Sequence, residues 1–267
     1  MILGVNTNRD APGQQRESRP DPIPVSVAIV TANEEHNIKD ALESVRLFRE
    51  IVIIDALSTD RTAEICRAYT DKFYQFPWKG YAAQKQDAVD RTSLEWVLIL
   101  DADERVTPEL RQEIRETVPV TAHAGFFIPR KNYFLGRWIR HSGWWPDHTL
   151  RLFRKGDGRV EMREVHEKVA VRGSVGTLRS PMEHYSYRTI SDFLRKTEAY
   201  SELSAKELLG APKRRPLLSM AASPLAVFLK MYILRQGFRD GAHGLVLAVL
   251  YSFYTFLKYA KLWERKG

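Results

Sequence analysis

The sequence predicts an α/β fold in which a mostly parallel sheet is flanked by helices. Short runs rich in Val and Ile alternate with amphipathic segments of roughly 10–15 residues, which is typical of strands joined by crossover helices. The run WVLIL at 96–100 is apolar throughout, as expected for a strand that is covered on both faces. Because such crossovers are right-handed, the pattern predicts a doubly wound, Rossmann-like sheet.

The predicted elements alternate regularly from residue 25 onwards. In the first helix, Ile38, Leu42 and Val45 recur at helical spacing and form one apolar face. Thr107 is expected to cap the last helix of the series, because Pro108 suits the first helical position. In chain order the elements are strand 25–30 (VSVAIV), helix 33–45, strand 51–54 (IVII), helix 60–69, strand 72–76, helix 81–91, strand 96–100 and helix 108–117.

Polar residues directly follow three of these predicted strands. Ligands of doubly wound sheets bind beyond the carboxyl ends of the strands, so we expect the binding site at this edge. The three polar clusters are 31–35, 55–60 and 101–104.

Two aspartates, Asp101 and Asp103, come immediately after the apolar run at 96–100. At strand pitch, side chains two residues apart point to the same side, so both carboxylates could face one divalent cation. Two acids at the end of a buried strand are costly to desolvate unless a cation or a polar cleft compensates them. Because Mg²⁺ or Mn²⁺ bound by one or two carboxylates is completed by water and substrate phosphates, the pair indicates a nucleotide diphosphate ligand.

Three other side chains near this edge have both a functional and a structural interpretation. Asp55 is placed either to accept hydrogen bonds from a base or ribose or to hold a turn in DALSTDRT. Thr31 either contacts the nucleotide or caps the helix that follows. Lys85 is either a counter-charge for a diphosphate or a solvated helix residue.

Composition and missing motifs exclude several classes of protein. The single cysteine, Cys66, excludes a disulfide framework and a zinc site built on several thiolates. No GxxxxGK[ST] or GxGxxG motif follows a predicted strand, which argues against P-loop NTPases and dinucleotide-dependent dehydrogenases. No secretory signal is recognised at the start, so we expect a cytoplasmic chain whose residues 1–24 form a disordered leader.

The positive charge is concentrated at the C-terminus. The formal net charge is +8, and the last 57 residues hold ten Lys and Arg but only two Asp and Glu. Two uncharged runs there, 216–229 and 241–257, fall short of the ~20 residues that span a bilayer. We therefore predict an α/β domain at 25–210 and a basic, amphipathic helical extension at 211–267. The extension is expected either to pack on the domain or to lie on an anionic membrane surface.

Seven ordered motifs give the sequence a specific resemblance. They are VTANEEHNI, IIDALSTDRT, KGYAAQKQDAV, WVLILDADERV, PDHTLRLFRKG, VHEKV and FRDGAHG. Together they resemble the family 2 inverting glycosyltransferases, and in particular the group that adds glucose in β-1,4 linkage to the inner core of lipopolysaccharide. The resemblance covers about residues 25–262.

The resemblance implies a GT-A-type fold with a nucleotide-sugar donor and a divalent cation, Mg²⁺ or Mn²⁺. The implied metal ligands are Asp101 and Asp103. His166, in VHEKV, is a candidate third metal ligand, but it could equally orient the diphosphate or be a turn or core histidine. Leu57 and Arg61 depart from the family pattern, because relatives often carry glycine at both places. Gln86 likewise stands where relatives often carry asparagine. The implied donor-binding residues are Thr31, Glu34, Asp55, Lys85, Asp101 and Ala102.

Candidate residues on the acceptor side come partly from the resemblance, whose second acidic motif falls on Pro146 and Asp147, and partly from residue chemistry. Inversion by direct displacement needs a base near the acceptor hydroxyl. Asp147 is the first choice for that base and Glu167 the second. Trp144 and Trp145 are expected either to present flat faces to the acceptor sugar or to pack in the core.

The leading hypothesis is thus a metal-dependent glycosyltransferase that moves a sugar, expected to be glucose, from a UDP-sugar to a lipopolysaccharide or lipooligosaccharide core acceptor. It is expected to act peripherally on the inner face of the bacterial cytoplasmic membrane, with an anionic membrane surface as partner and no nucleic acid. One alternative is a sugar nucleotidyltransferase, which would consume a nucleoside triphosphate. Another is a non-enzymatic basic module that binds nucleic acid or membranes.

Overall fold

The fold is known from a computed structural model of the chain. The predicted base Glu167 and the candidate metal ligand His166 lie outside the residues that the structure describes. Nearly all of the predicted leader lies outside them as well. The described residues are 21–161, 168–209 and 216–265.

The N-terminal half of the molecule confirms the predicted alternation of strands and helices. The strands are β1 (Ile23–Thr31), β2 (Phe48–Asp55), β3 (Phe73–Gln75) and β4 (Trp96–Asp101), and the helices between them are α1 (Ile38–Val45), α2 (Thr62–Arg67) and α3 (Tyr81–Asp90). The four strands are parallel and lie in the order β3-β2-β1-β4. Strand β1 begins two residues before its predicted start, because Ile23 is fully buried and its amide donates to the Leu47 carbonyl at 2.8 Å.

Strand β4 is covered on both faces, as its apolar sequence predicts. None of the residues 96–100 is more than 2% exposed. Leu98 and Leu100 belong to the same core cluster as the apolar face of α1, whereas Val97 and Ile99 pack with side chains of α3. Full burial of an aliphatic side chain contributes about 1.5–3 kcal/mol, so this strand fixes the centre of the sheet.

Helix α4 (Pro108–Thr117) follows β4 after a short connection. The Thr107 hydroxyl accepts a hydrogen bond from the Leu110 amide at 3.2 Å, which confirms the predicted cap. Such a cap contributes about 1 kcal/mol to helix stability. Leu110 and Ile114 are fully buried and attach the helix to the core.

The second half of the sheet is mixed. Its strands are β5 (Glu104–Val106), β6 (Gly125–Phe134), β7 (Arg137–Trp138), β8 (Asp147–Arg154), β11 (Val175–Thr177) and β12 (Met182–Tyr187), while β9 (Gly158–Glu161) and β10 (Lys168–Val171) form a separate pair. Strand β8 is antiparallel to both β4 and β6, and β12 runs parallel to β6. Parallel pairs still outnumber antiparallel ones in the main sheet, so the predicted fold class is confirmed.

Helices follow the sheet at the C-terminal end. They are α5 (Ile190–Leu209), α6 (Pro216–Phe228), a π-helical turn (Leu229–Leu234), a 3₁₀ turn (Gly237–Asp240) and α7 (Gly241–Glu264). Leu247 and Ala248 of α7 are fully buried against Phe134 of β6 and Phe193 of α5. Helix α7 therefore packs on the body of the protein, which was one of the two predicted arrangements.

The helices of the extension are longer than the uncharged runs in the sequence indicate. Two helical stretches, Leu217–Leu234 and Gly237–Glu264, are long and apolar enough to cross a membrane by length and composition. The two uncharged runs were predicted to be too short to span a bilayer. This prediction was wrong about the length of the helices, because they continue beyond the runs through Lys230, Lys258 and Lys261. Length and composition are weak indications on their own, and part of the second stretch is buried in the protein.

Candidate active site

The polar residues that follow β1, β2 and β4 lie at one edge of the sheet. The register pairs Thr31 with Asp55 and Val30 with Asp101. The predicted meeting of these clusters at the carboxyl ends of the strands is therefore confirmed.

Thr31 and Asp55 are both buried there but differ in their partners. Asp55 Oδ2 accepts hydrogen bonds from the Ser58 amide and from Gln75 Nε2, both at 2.9 Å, so Asp55 holds the turn after β2. Thr31 Oγ1 is buried and has no hydrogen-bond partner among the described residues. Helix α1 begins only at Ile38, so Thr31 does not cap it.

The turn after β2 adopts a left-handed backbone without glycine. Leu57 has a φ of 55° and is half exposed. Its neighbours hold it in place: the Ser58 hydroxyl donates to Asp55, and the Thr59 amide donates to Asn33 Oδ1 at 2.8 Å. The departure from glycine at this position is thus accommodated by the loop.

Glu34 lies in the loop after β1 and is partly buried. Burial raises the pKa of Glu34 above its ordinary value, while a hydrogen bond from Asn37 Nδ2 at 2.7 Å opposes the shift. The charges of Asp103, Lys196 and Arg188 also act on this carboxyl. Glu34 therefore belongs to the same electrostatic environment as the second acid of the predicted metal pair.

Asp101, the last residue of β4, is held between two cations. Its Oδ1 lies 2.6 Å from Lys85 Nζ and its Oδ2 lies 2.5 Å from Arg151 Nη2. Burial disfavours the charged carboxylate, but Arg151 and Lys85 outweigh this effect and keep the pKa of Asp101 well below its ordinary value. Lys85 is 4% exposed, so the solvated interpretation of this residue was wrong. Arg151 also binds the fully buried Glu104 at 2.6 Å, which secures the cluster.

Asp103 does not continue the strand, contrary to the geometry assumed from the sequence. Strand β4 ends at Asp101, and Ala102 and Asp103 form a turn. Asp103 Oδ2 lies 3.5 Å from His184 Nε2 and 3.6 Å from Lys196 Nζ. Burial disfavours the charged form here too, but these two neighbours keep the pKa of Asp103 below its ordinary value. The two aspartates therefore have different partners.

Ala102 lies between the two acids and is buried. Its carbonyl accepts a hydrogen bond from Arg105 Nη1 at 3.0 Å. This contact fixes the backbone of the turn that presents Asp103.

The residues around Asp103 fit a divalent cation only in part. No group of three or more His, Cys, Asp or Glu that could bind a metal is found among the described residues. However, Mg²⁺ and Mn²⁺ are commonly bound by one or two carboxylates and completed by water and substrate phosphates. Asp103 offers an oxygen ligand of the kind that these ions prefer, and His184 adds a softer nitrogen donor beside it.

The orientation of His184 follows from its hydrogen bonds. Asn132 Nδ2 donates to the Trp144 carbonyl at 3.1 Å and to Asp147 at 3.0 Å, which leaves Asn132 Oδ1 as an acceptor. His184 Nδ1 lies 2.6 Å from that oxygen and therefore donates a hydrogen bond to it. Nε2, the other ring nitrogen, faces Asp103.

Asp147, the predicted base, lies at the start of β8 in a cavity of about 260 Å³. Its Oδ2 accepts hydrogen bonds from Arg130 Nε at 3.0 Å, Arg130 Nη2 at 2.7 Å and Asn132 Nδ2 at 3.0 Å. Its Oδ1 has no hydrogen-bond partner in the part of the chain that the structure describes. One oxygen is thus fixed and the other is available to accept a proton.

The two tryptophans before Asp147 have different environments. Trp144 lines the same cavity and also packs edge-on against Phe134. Trp145 packs at right angles to Trp138, with ring centroids 5.3 Å apart. Only Trp144 is therefore placed beside the predicted base in this cavity.

A chain of polar contacts joins the two predicted acidic sites. It runs from Asp103 to His184, then to Asn132 and finally to Asp147. Sequence analysis did not identify His184 or Asn132 as site residues, because they lie on β12 and β6 and meet the acids only through strand pairing. The register of β8 against β6 shifts at Arg151, because Phe127 pairs with Leu150 and Phe126 with Leu152, so simple alternation along the strand does not predict the position of Arg151.

Comparisons with known proteins show the family to which the chain belongs. Residues 26–184 match the family described as "Glycosyl transferase family 2". The chain is 32% identical over 251 residues to the lipopolysaccharide core biosynthesis glycosyltransferase LpsC of Rhizobium meliloti (strain 1021), with 91% of this chain and 93% of LpsC covered. It is 28% identical over 260 residues to an uncharacterized glycosyltransferase of Rickettsia typhi, covering 90% of this chain and 87% of the relative. Among solved structures, S. aureus TarS 1–349 in complex with UDP is similar with a TM-score of 0.47 at 16% identity, covering 91% and 90% of the two chains.

The parallel strands, their polar carboxyl edge and the acidic turn after β4 define a GT-A-type α/β fold. The chain belongs to glycosyl transferase family 2. This membership favours glycosyl transfer over the two alternatives, sugar nucleotidyl transfer and a non-enzymatic basic module.

Proposed function

We propose that the protein transfers glucose from UDP-glucose to a saccharide of the lipopolysaccharide core, with inversion at the anomeric carbon. The observation that carries the proposal is the cavity in which Asp147 Oδ1 is available while Oδ2 is fixed by Arg130 and Asn132. The similarity to LpsC, named for lipopolysaccharide core biosynthesis, supports the acceptor class.

In the proposed reaction the acceptor oxygen attacks the anomeric carbon of the donor sugar. The bond from that carbon to the diphosphate oxygen breaks, UDP leaves with the electron pair, and Asp147 Oδ1 takes the proton of the acceptor hydroxyl. Glu167 remains the second candidate for the base and lies outside the described residues. The proposed face for the acceptor sugar is Trp144, which lines the cavity beside Asp147.

The donor is proposed to bind along the carboxyl edge of β1, β2 and β4. Thr31 offers a buried hydroxyl that has no hydrogen-bond partner among the described residues, and Lys85 with Arg151 supplies positive charge around Asp101. The proposed metal ligands are Asp103 and Asp101, with His184 now a further candidate beside His166. When bound, Mg²⁺ or Mn²⁺ supplies charge neutralisation for the departing diphosphate.

We further propose that the enzyme works on the cytoplasmic face of the membrane, with its extension on an anionic surface. Large apolar side chains on α6 and the following turn are exposed and are accompanied by basic residues of the extension. This combination is typical of helices that lie in a membrane interface. The exposed apolar residues are Leu217, Leu218, Leu225, Leu229, Ile233 and Leu234.

The test is release of free UDP from a panel of UDP-sugars, with Mg²⁺ or Mn²⁺ and a core-truncated lipopolysaccharide acceptor. UDP-glucose should be the preferred donor, and Asp147→Asn should lower kcat by at least about 10²-fold because the base is lost. Asp71→Asn, at an exposed position, is the matched control. Near-normal turnover of Asp147→Asn would transfer the base assignment to Glu167, and no acceptor-dependent release with any donor would reject the proposed function.

A further inference from the structure

A second cavity, of about 480 Å³, lies between β7 and the start of α7. Its lining is strongly basic. The residues are Arg137, Trp138, Arg140, His141, Arg239 and Asp240.

The three arginines of this cavity have no carboxylate partner among the described residues. Arg140 stacks over the Trp138 ring at 4.4 Å, and Arg239 Nη1 donates to the Gln236 side chain at 2.8 Å. Arg137 reaches the beginning of α7, where its Nη1 lies beside Gly241. Their positive charges are therefore not neutralised by an ion pair within the described fold.

Asp240 is the one acid among the described lining residues, and its carboxylate binds the segment after β7. It is buried, and its carboxylate accepts hydrogen bonds from the His141 amide at 2.9 Å and from the Arg140 amide at 3.3 Å. Its Oδ1 also lies 3.1 Å from His141 Nδ1. Asp240 thus attaches the segment after β7 to the 3₁₀ turn and leaves the guanidinium groups available.

The motif FRDGAHG at 238–244 contains this turn, and the fold explains most of its polar and small residues. Gly241 has a φ of 62°, and a Cβ at Gly244 would lie 1.9 Å from the Gly237 carbonyl oxygen, so both positions require glycine. Asp240 holds the segment after β7. Arg239 is exposed, and among the described residues its side chain donates a hydrogen bond only to Gln236, within the same turn.

We propose that this cavity binds a phosphate ester through Arg137, Arg140 and Arg239. A guanidinium group matches the geometry of phosphate oxygens and stays charged at all physiological pH values. The inference rests on the proposed function, because the phosphate would belong to the acceptor saccharide or to the headgroup of the surrounding lipid.

The cavity is positioned to act together with the predicted base. The segment after β7 lines this cavity with Arg140 and His141, and it lines the Asp147 cavity with Trp144. Trp138 also packs against Trp145, two residues before Asp147. A phosphate bound at the arginines would therefore help to orient an acceptor whose hydroxyl lies at Asp147.

The experiment compares wild type with Arg140→Gln and Arg239→Gln. Arg49→Gln is the matched control, since Arg49 is an exposed arginine at the start of β2 and is not among the lining residues of this cavity. Each protein is assayed with core-truncated lipopolysaccharide before and after chemical removal of its phosphates. In a second arm, binding to phosphatidylglycerol and phosphatidylcholine vesicles is measured without acceptor.

If the phosphate belongs to the acceptor, dephosphorylation should raise the wild-type acceptor KM about tenfold, the factor that one charged hydrogen bond contributes. The two variants should show the raised KM with either acceptor, while the KM for UDP-sugar stays unchanged. If the phosphate belongs to the lipid, the variants should instead lose binding to phosphatidylglycerol vesicles by a similar factor.

Unchanged acceptor KM and unchanged vesicle binding in both variants would overturn the proposal. Failure of the proposed function is distinguishable, because wild type would then transfer sugar to neither acceptor. In that case only the vesicle measurement tests the phosphate site. If both variants still bound phosphatidylglycerol vesicles as wild type does, the proposed phosphate site would be rejected. Thermal unfolding of each variant checks that its fold is intact.

Discussion

At the scale of single residues, Asn132 is the side chain whose role is clearest from contacts alone. It donates to Asp147 and accepts from His184, so it orients the predicted base and the imidazole beside Asp103 at once. Asn132 is buried on β6 and is proposed as a positioning residue rather than a catalytic one.

Replacing Asn132 therefore tests the link between the two acidic sites. Asn132→Ala should lower kcat about 10²-fold, because both the base and the imidazole lose orientation, while the KM for UDP-sugar changes little. Steady-state kinetics with varied donor gives both values. Gln112→Ala, at a surface amide on α4, is the control, and a kcat within twofold of wild type for Asn132→Ala would show that the link is not used.

Leu57, whose backbone is left-handed, is a second residue with a testable effect on stability. A side chain in the left-handed region costs roughly 1–2 kcal/mol, which glycine avoids at a smaller entropic cost. Leu57→Gly should therefore raise the free energy of unfolding by up to about 1 kcal/mol. Leu194→Gly, at an exposed position inside α5, should lower it by about 1 kcal/mol. Urea unfolding measures the free energy of unfolding of both variants. Equal destabilisation by Leu57→Gly and Leu194→Gly would contradict backbone strain at Leu57.

At the scale of elements, Glu50 on β2 joins three neighbouring segments. Its carboxylate binds Ser26 of β1, Lys72 before β3 and the backbone amide of Ser93 before β4. Burial disfavours the charge, but the hydrogen bonds from Lys72, Ser26 and Ser93 prevail and lower the pKa of Glu50 from 4.5 to about 2.

A lowered pKa makes the sheet sensitive to acid. Because the folded state holds the proton less tightly than the unfolded chain, Glu50 stabilises the protein above pH 4.5, and this contribution is lost as pH falls toward 2. The loss should amount to roughly 2 kcal/mol. Urea unfolding across this pH range should show a shallower pH dependence for Glu50→Gln than for wild type, and parallel curves would contradict the assignment.

Sequence predicted some elements of this fold well and others not at all. Strands β1, β2 and β4 are locally encoded by apolar runs, and Asp101 and Asp103 are adjacent to one of them, so both were recognisable. Strand β6 contains Pro129 and three charged or amide side chains in sequence, and its place in the sheet depends on pairing with distant β8 and β12. Asn132 and His184 were missed for the same reason, since non-local register alone brings them together.

At the scale of the whole molecule, the proposed membrane interface depends on the exposed apolar face of α6 and the following turn. Leu225→Asp should weaken binding to phosphatidylglycerol vesicles severalfold, because it places a negative charge in the proposed interface. Val120→Asp is the control, since Val120 is even more exposed but lies after α4. Vesicle co-sedimentation measures the binding of both variants. Equal binding by Leu225→Asp and Val120→Asp would contradict the proposal that α6 contacts the membrane.

The attachment of the C-terminal helices by Asp240 and Tyr251 means that they are not a removable anchor. Tyr251 of α7 forms part of the wall around Asp147, and Asp240 steadies the backbone that leads to Trp144. A version shortened before Gly237 for easier purification would therefore lose part of the wall of the cavity where the acceptor is proposed to bind. Engineering for solubility should alter the outer surface of these helices and leave the chain at full length.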